Sequence, residues 1–379
     1  MFTSTTLLHG ICISLGAFML RKFYCARDSP YPLAPSPRYF PVIGHLLSLP
    51  SRDEHAGFME MAKKLGNLFS LHIFGTPVLV VNSSQDAINL LEKRSNLYSD
   101  RVCPTMLSQP SLTNWGKFVG FLNYNERWKR SRRLMRPWLH KEAVQSLHSS
   151  HPIQTRLLLH RLLLLPGHLS TSESLEAEIY KAISATLAHH VYGYEAESHD
   201  DPFLLNLREA TNNFITAALP SNFMVNLFPA LIHIPTWFPG AGWKRTAQQW
   251  RKQKEHAIDA VYDWTKIQMA KGECGPSMVS SLLNDSERLG LDSDEIDDYV
   301  KHLAVTLFVA GPDTIASALV VFVLAMLLFP DVQKKAQQEI DAVVALNRLP
   351  VMSDRENLKY IDRLIDEVLR WRPIAPLGT

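Results

Sequence analysis

Cysteine is scarce in this chain: 379 residues hold four, Cys12, Cys25, Cys103 and Cys274. No two of them make a C-x-x-C pair or another metal-binding spacing. That argues against a disulfide scaffold and a structural zinc site, and suits a reducing compartment. An excess of one charge is also lacking. With 39 Lys+Arg against 37 Asp+Glu the net charge is +2, so no global footprint for nucleic acid exists. No long Gly/Ser or charged linker divides the chain, and no internal repeat is evident. A hydrophobic share of 46% and a charged share of 20% are ordinary for a globular protein and speak against wholesale disorder.

Two long apolar runs are present instead. The first, Leu7 to Leu20, reads LLHGICISLGAFML and is followed by Arg21 and Lys22. It is marginal against the roughly 20 residues that a full crossing needs. A cleaved signal peptide would carry its positive charge ahead of the apolar run. The order found here fits a signal anchor with the body on the cytoplasmic side. Residues 30–50, PYPLAPSPRYFPVIGHLLSLP, are rich in proline and suit a stiff, extended spacer; a surface loop is the bland alternative. The expected organisation is an anchor over 1–29, a proline-rich hinge over 30–50 and a globular body over 51–379.

Leu68–Phe74 and Pro77–Val81 alternate around Gly75-Thr76 and read as two strands. Ser84–Lys93 reads as a short helix. Longer helical patterns cover 175–192, 203–217, 243–271, 295–329, 331–345 and 356–371. The expected class is mainly α with a small N-terminal β-sheet.

The second apolar run, Leu303 to Phe329, is LAVTLFVAGPDTIASALVVFVLAMLLF. A helix apolar all round is buried in a core or in a membrane, yet Asp313 and Thr314 sit in its middle. Burying even a neutral polar group without a partner costs about 2–7 kcal/mol, so a cavity, a cofactor or water must face them. Asp292 is placed to cap this helix, with Glu295 completing a box. Pro312 removes a backbone donor and should kink the helix, leaving carbonyls near residue 308 unpaired. Further on, Glu367 and Arg370 share a helix face at i,i+3. Leu364, Ile365, Val368, Leu369 and Trp371 crowd them, which predicts burial. Earlier, Arg127–Arg136 carries six basic residues in ten. Within it Trp128 and Arg132 project together at i,i+4, so an indole N–H and a guanidinium can grip paired carboxylates.

Ala310-Gly311-Pro312-Asp313-Thr314 followed by Glu367-Val368-Leu369-Arg370 resembles the cytochrome P450 family of haem-thiolate monooxygenases, with A-G-x-[DE]-T in the long central helix and E-x-x-R in a later one. The resemblance runs from about residue 30 to the end. It implies a cytochrome P450-like fold, incomplete at the C-terminus, because the family's F-x-x-G-x-R-x-C-x-G loop with the axial cysteine does not appear before Thr379. It also implies site roles. Thr314 and Asp313 relay protons to dioxygen, and Ala310 and Gly311 let the helix backbone approach the macrocycle. Trp128 and Arg132 hold a haem propionate, while Glu367 and Arg370 brace the core.

The implied cofactors are haem and, through a flavoprotein reductase partner, NADPH. The remaining basic residues of 127–136 would form the docking patch for that acidic reductase, or meet anionic lipid. Phe228–Trp243, with three prolines and two tryptophans, resembles a roof loop of fungal microsomal members, where lipophilic substrates enter from the endoplasmic-reticulum membrane. The implied reaction inserts one oxygen atom from O2 into a lipophilic small molecule, in secondary metabolism. Two alternatives stand beside this reading: a truncated, inactive remnant without its axial cysteine, and a helical membrane-anchored interaction protein that binds no haem.

Overall fold

The computed structural model describes residues 34–50, 53–140, 151–167, 171–196, 201–286, 290, 292–344 and 348–378. The expected anchor over 1–29 lies outside them. Packing separates the chain into two compact units, Met1–Ser99 and Asp100–Thr379.

In the first unit, helix α1 (Glu54–Leu65) precedes strands β1 (Leu68–Ile73) and β2 (Thr76–Val81), which pair antiparallel with Leu68 opposite Val81 and Ile73 opposite Thr76. Phe69 and Leu71 are fully buried on one face of β1. The turn is Phe74-Gly75, one residue earlier than expected. Both residues have positive φ, 48° and 81°, the twist a two-residue hairpin needs. The described part of the proline-rich stretch lies along β1: Ser70 N–H donates to the Pro35 carbonyl at 2.8 Å, and His45 N–H to the His72 carbonyl at 2.7 Å. Gly44, with φ +67°, is required there, because a Cβ would overlap the His72 carbonyl. The short helix expected over 84–93 is one α turn, Ser84–Ala87, followed by one wider turn, Ile88–Glu92.

Among its described residues the second unit is built of helices joined by loops, with no strand; the longer helices are α2 (Glu126–Leu139), α3 (His151–Leu164), α4 (Ser172–Tyr192), α5 (Pro202–Ala218), α6 (Gly242–Lys271), α7 (Met278–Asn284), α8 (Ser293–Ala310), α9 (Pro312–Leu328), α10 (Pro330–Val344) and α11 (Lys359–Trp371). Local chemistry sets their ends. Thr171 and Ser174 close a reciprocal cap on α4, which stops at Gly193 in the left-handed region. Asp201 caps α5 ahead of Pro202 at the first helical position. Asp292 does stand at the N-terminus of α8, but its side chain makes no capping bond. Glu295, expected to complete that box, is instead drawn into an ion pair with Arg130 at 3.0 Å.

Residues Glu295–Leu328 form 34 residues of helix whose mean hydropathy reaches 2.0, long and apolar enough to cross a membrane. The first half is core instead. Leu303, Ala304, Val305 and Phe308 are buried among Tyr192, Val261, Tyr262, Met278 and Val279. Burying a side chain of this size stabilises by about 1.5–3 kcal/mol, so α8 is the strut that positions the site.

Candidate functional site

The helix is interrupted where the proline predicted it, and only slightly. α8 ends at Ala310, α9 begins at Pro312, and Gly311 between them keeps helical dihedrals of −86° and −59°. Gly311 N–H still donates to Leu307 at 3.2 Å, and its carbonyl accepts from Ile315 N–H at 3.2 Å. Pro312 has no N–H to offer the carbonyl of Phe308, so the ladder loses one rung.

The two polar residues beyond this break look in different directions. Thr314 is exposed, on the same stripe as exposed Ala310 one turn earlier. Its hydroxyl lies 2.8 Å from the Ala310 carbonyl and 3.0 Å from that of Gly311, and donates to this pair. The oxygen lone pairs remain free to accept. Asp313 is half-buried, and its Oδ2 has no hydrogen-bond partner. Burial pushes the Asp313 carboxyl above the usual carboxylate range; Arg208 on α5 opposes that shift and Glu176 adds to it. The same burial, with the Asp313 charge nearby, raises the Tyr180 phenol to about 12. Asp313 therefore faces a polar cluster on α4 and α5, while Thr314 faces the open side.

Gly311 departs from its expected use. A Cβ there would overlap Leu187 Cδ1 on α4, so the missing side chain serves helix–helix packing. Ala310 stays on the open face, where a flat ligand can approach.

Trp128 and Arg132 on α2 do come together, the guanidinium 5.7 Å from the indole ring centre. The rest of the basic run is largely engaged. Arg127 pairs with Asp298 at 2.7 Å and stacks 4.6 Å over Tyr299, Arg130 holds Glu295, and Lys129 holds Glu126 at 2.8 Å. Arg132, Arg133 and Arg136 are exposed.

Glu367 and Arg370 form a two-pronged ion pair, both contacts at 2.7 Å. The burial expected for them is not found: the side chains are 57% and 71% exposed. Only one stripe of α11 is covered, by Leu364 and Val368 against Ala325, Met326 and Ala336, while Ile365 and Leu369 are themselves exposed. Crowding in sequence did not mean crowding in space, because residues three apart and one apart point around the helix differently.

Sequence reasoning passed over Thr306, which sits one turn before Ala310 and accepts from Val119 N–H at 3.2 Å. It also passed over Arg208, whose relation to Asp313 spans more than a hundred residues and leaves no local signal.

Two separate features would suit a haem. Arg132 and Trp128 present unspent donors suited to propionates, and Ala310 and Thr314 form an open, small-residue face. The described cysteines stand as thiols. Burial raises the Cys103 thiol to about 11, and the Cys274 thiol donates to the Gly275 carbonyl at 3.3 Å, whereas the ligand is a thiolate.

A family model described as Cytochrome P450 matches residues 34–379. The chain belongs to the cytochrome P450 family. It is 35% identical over 373 residues to Cytochrome P450 monooxygenase 208 of Postia placenta, covering 97% of this chain and 70% of that one. It is 35% identical over 353 residues to Cytochrome P450 monooxygenase COX2 of Coprinopsis cinerea, covering 93% and 65%. To Cytochrome P450 monooxygenase claR of Ampulloclitocybe clavipes it is 34% identical over 363 residues, covering 95% and 65%. The chain thus spans about two thirds of the length of these cytochrome P450 relatives.

Proposed function

We propose that this chain carries the oxygen-activating face of a haem-dependent monooxygenase that inserts one atom of O2 into a lipophilic small molecule of secondary metabolism. One observation carries the reading. At the Pro312 break, an acid reaching a buried polar cluster and an alcohol on an open face are adjacent in sequence and back to back in space. Haem, when bound, supplies the redox chemistry with dioxygen. The residues supply protons. Thr314 Oγ1, donating to the helix carbonyls, holds a water by accepting from it. Asp313, whose carboxyl burial raises above the usual carboxylate range, replenishes protons from the α4–α5 side, a general-acid role. Arg132 and Trp128 bind the propionates, and Arg133 and Arg136 offer exposed positive charge to an acidic NADPH-dependent reductase.

The loop from Phe228 to Trp243 supports a membrane setting. Trp237 is 78% exposed, while Lys244 ties the carbonyls of Ile232 and Ile234 and Arg245 that of Thr236. A fixed loop with an outward indole suits a lipid–water boundary. Together with the apolar segment Leu7–Leu20, this favours endoplasmic-reticulum anchoring with the body in the cytosol.

The test is Thr314→Ala in a haem-loaded form of the protein, with product formed and NADPH consumed measured together. Product per NADPH should fall several-fold while NADPH consumption continues; unchanged coupling would remove Thr314 from the relay. The thiol state of Cys103 and Cys274, the described cysteines, favours a second reading, in which neither of them ligates iron. The reduced carbon-monoxide difference spectrum decides it, since a thiolate-type band from this polypeptide by itself would rule that reading out.

A further inference from the structure

A cavity of about 260 Å³ opens between α3, α4 and α5. Leu157, Arg161, Tyr180, Ser184, Leu204 and Arg208 are among its lining residues. Most of the charge around it is spent. Glu178 takes Arg161 at 2.7 Å and Lys181 at 3.1 Å. Asp201 accepts from the Tyr194 hydroxyl at 2.6 Å and from the backbone N–H groups of Phe203 and Leu204.

Arg208 is the exception. Its guanidinium stacks 4.6 Å over the Tyr180 ring and, although the Asp313 carboxylate faces it at longer range, makes no ion pair with a carboxylate among the described residues. In the same wall the hydroxyls of Tyr180 and Ser184, on residues 4% and 1% exposed, lie close to each other and shielded from solvent, without a partner in strict hydrogen-bonding geometry. Burial holds the Tyr180 phenol at about 12, so it keeps its proton at neutral pH. Buried polar groups are normally paired, and a cavity walled by such groups beside a guanidinium without an ion pair has room for a ligand that completes them.

The chemistry of that ligand follows. A planar guanidinium fork matches a carboxylate, bidentate, better than it matches a point charge. A dianion such as phosphate would gain from only one unspent cation and would meet the fields of Glu178 and Asp201. Leucines 157, 204 and 205 give part of the cavity an apolar lining. Its volume falls below the roughly 300–1,000 Å³ of sites for drug-sized molecules, so the ligand is small. We propose that this cavity binds a small monocarboxylate with a short apolar tail, its carboxylate on Arg208 and its tail along the leucines. The proposal does not depend on haem or on turnover.

Calorimetric titration of the 379-residue protein with hexanoate tests it, beside acetate, methyl hexanoate, hexylammonium and inorganic phosphate. Hexanoate should saturate one site, and the other four should bind at least ten-fold more weakly. Arg208→Gln should weaken hexanoate ten-fold or more, Ser184→Ala a few-fold, and Leu204→Trp, which fills the cavity, should abolish binding. Circular dichroism verifies that each variant is folded; should Arg208→Gln fail to fold, Ser184→Ala and Leu204→Trp decide. Absence of hexanoate binding, equal binding of the methyl ester, tighter binding of phosphate, or affinity unchanged in the folded variants would each overturn the assignment.

Discussion

Asp313 carries the clearest conflict between stability and use at the scale of one residue. Its carboxyl is half-buried, with an oxygen that nothing in the described structure satisfies, and burial raises its pKa. A raised carboxyl binds protons more tightly in the folded than in the unfolded state. Its contribution to stability is therefore best at low pH, and it declines as the pH climbs from the ordinary carboxylate value through the raised one. Asp313→Asn should consequently melt above the wild type at pH 7, with the gap closing as the pH falls toward 3.8. Thermal unfolding across pH 4–7 measures this. A gap independent of pH would mean that the carboxylate is solvated after all. Residues retained at a cost in stability are common where activity needs them, and a proton donor needs a pKa near the working pH.

Among the elements, the junction of α8 and α9 is governed by a neighbour. Leu187 of α4 packs where a side chain at Gly311 would stand. Alanine at 311 gains up to about 1 kcal/mol of helix propensity over glycine. Overpacking a tight contact costs about 1–3 kcal/mol, so the net effect of Gly311→Ala should be a loss of roughly 0–3 kcal/mol. Adding Leu187→Ala should recover part of that loss, as a double-mutant cycle by denaturant unfolding will show; a loss that is additive would place the strain elsewhere. The Glu367–Arg370 pair belongs to this scale as well. It forms with good geometry yet stands in solvent, where an isolated ion pair contributes little.

Across the whole molecule, apolar surface is distributed unevenly. Ile315, Leu319, Leu324, Leu327, Leu328 and Phe329 on and just after α9 are all at least 36% exposed, as are Ile365 and Leu369 on α11. Exposed apolar surface on this scale drives association. The 379-residue protein should therefore self-associate in a concentration-dependent way that mild detergent reverses. Light scattering coupled to size exclusion measures this, and a monomer at all concentrations would mean that these side chains cover one another in solution.

Much of this was legible in the chain itself. The period of its apolar residues marked most of the long helices, though not α3 or α7, Phe74-Gly75 lay within one residue of the expected turn, and Pro312 announced the break between α8 and α9. Local signals suffice where the cause is local: a missing N–H, a positive φ, a capping hydroxyl, an i,i+4 pair such as Trp128 and Arg132. What packing alone decided has partners far apart in sequence. Glu295 turned from its expected cap to Arg130, Gly311 made room for Leu187, and Asp313 came to face Arg208 and Tyr180. Glu367 and Arg370 were left in water because only one stripe of α11 found a surface to bury against. Side-chain spacing says which residues share a face, but the face that is covered depends on what the rest of the fold lays upon it.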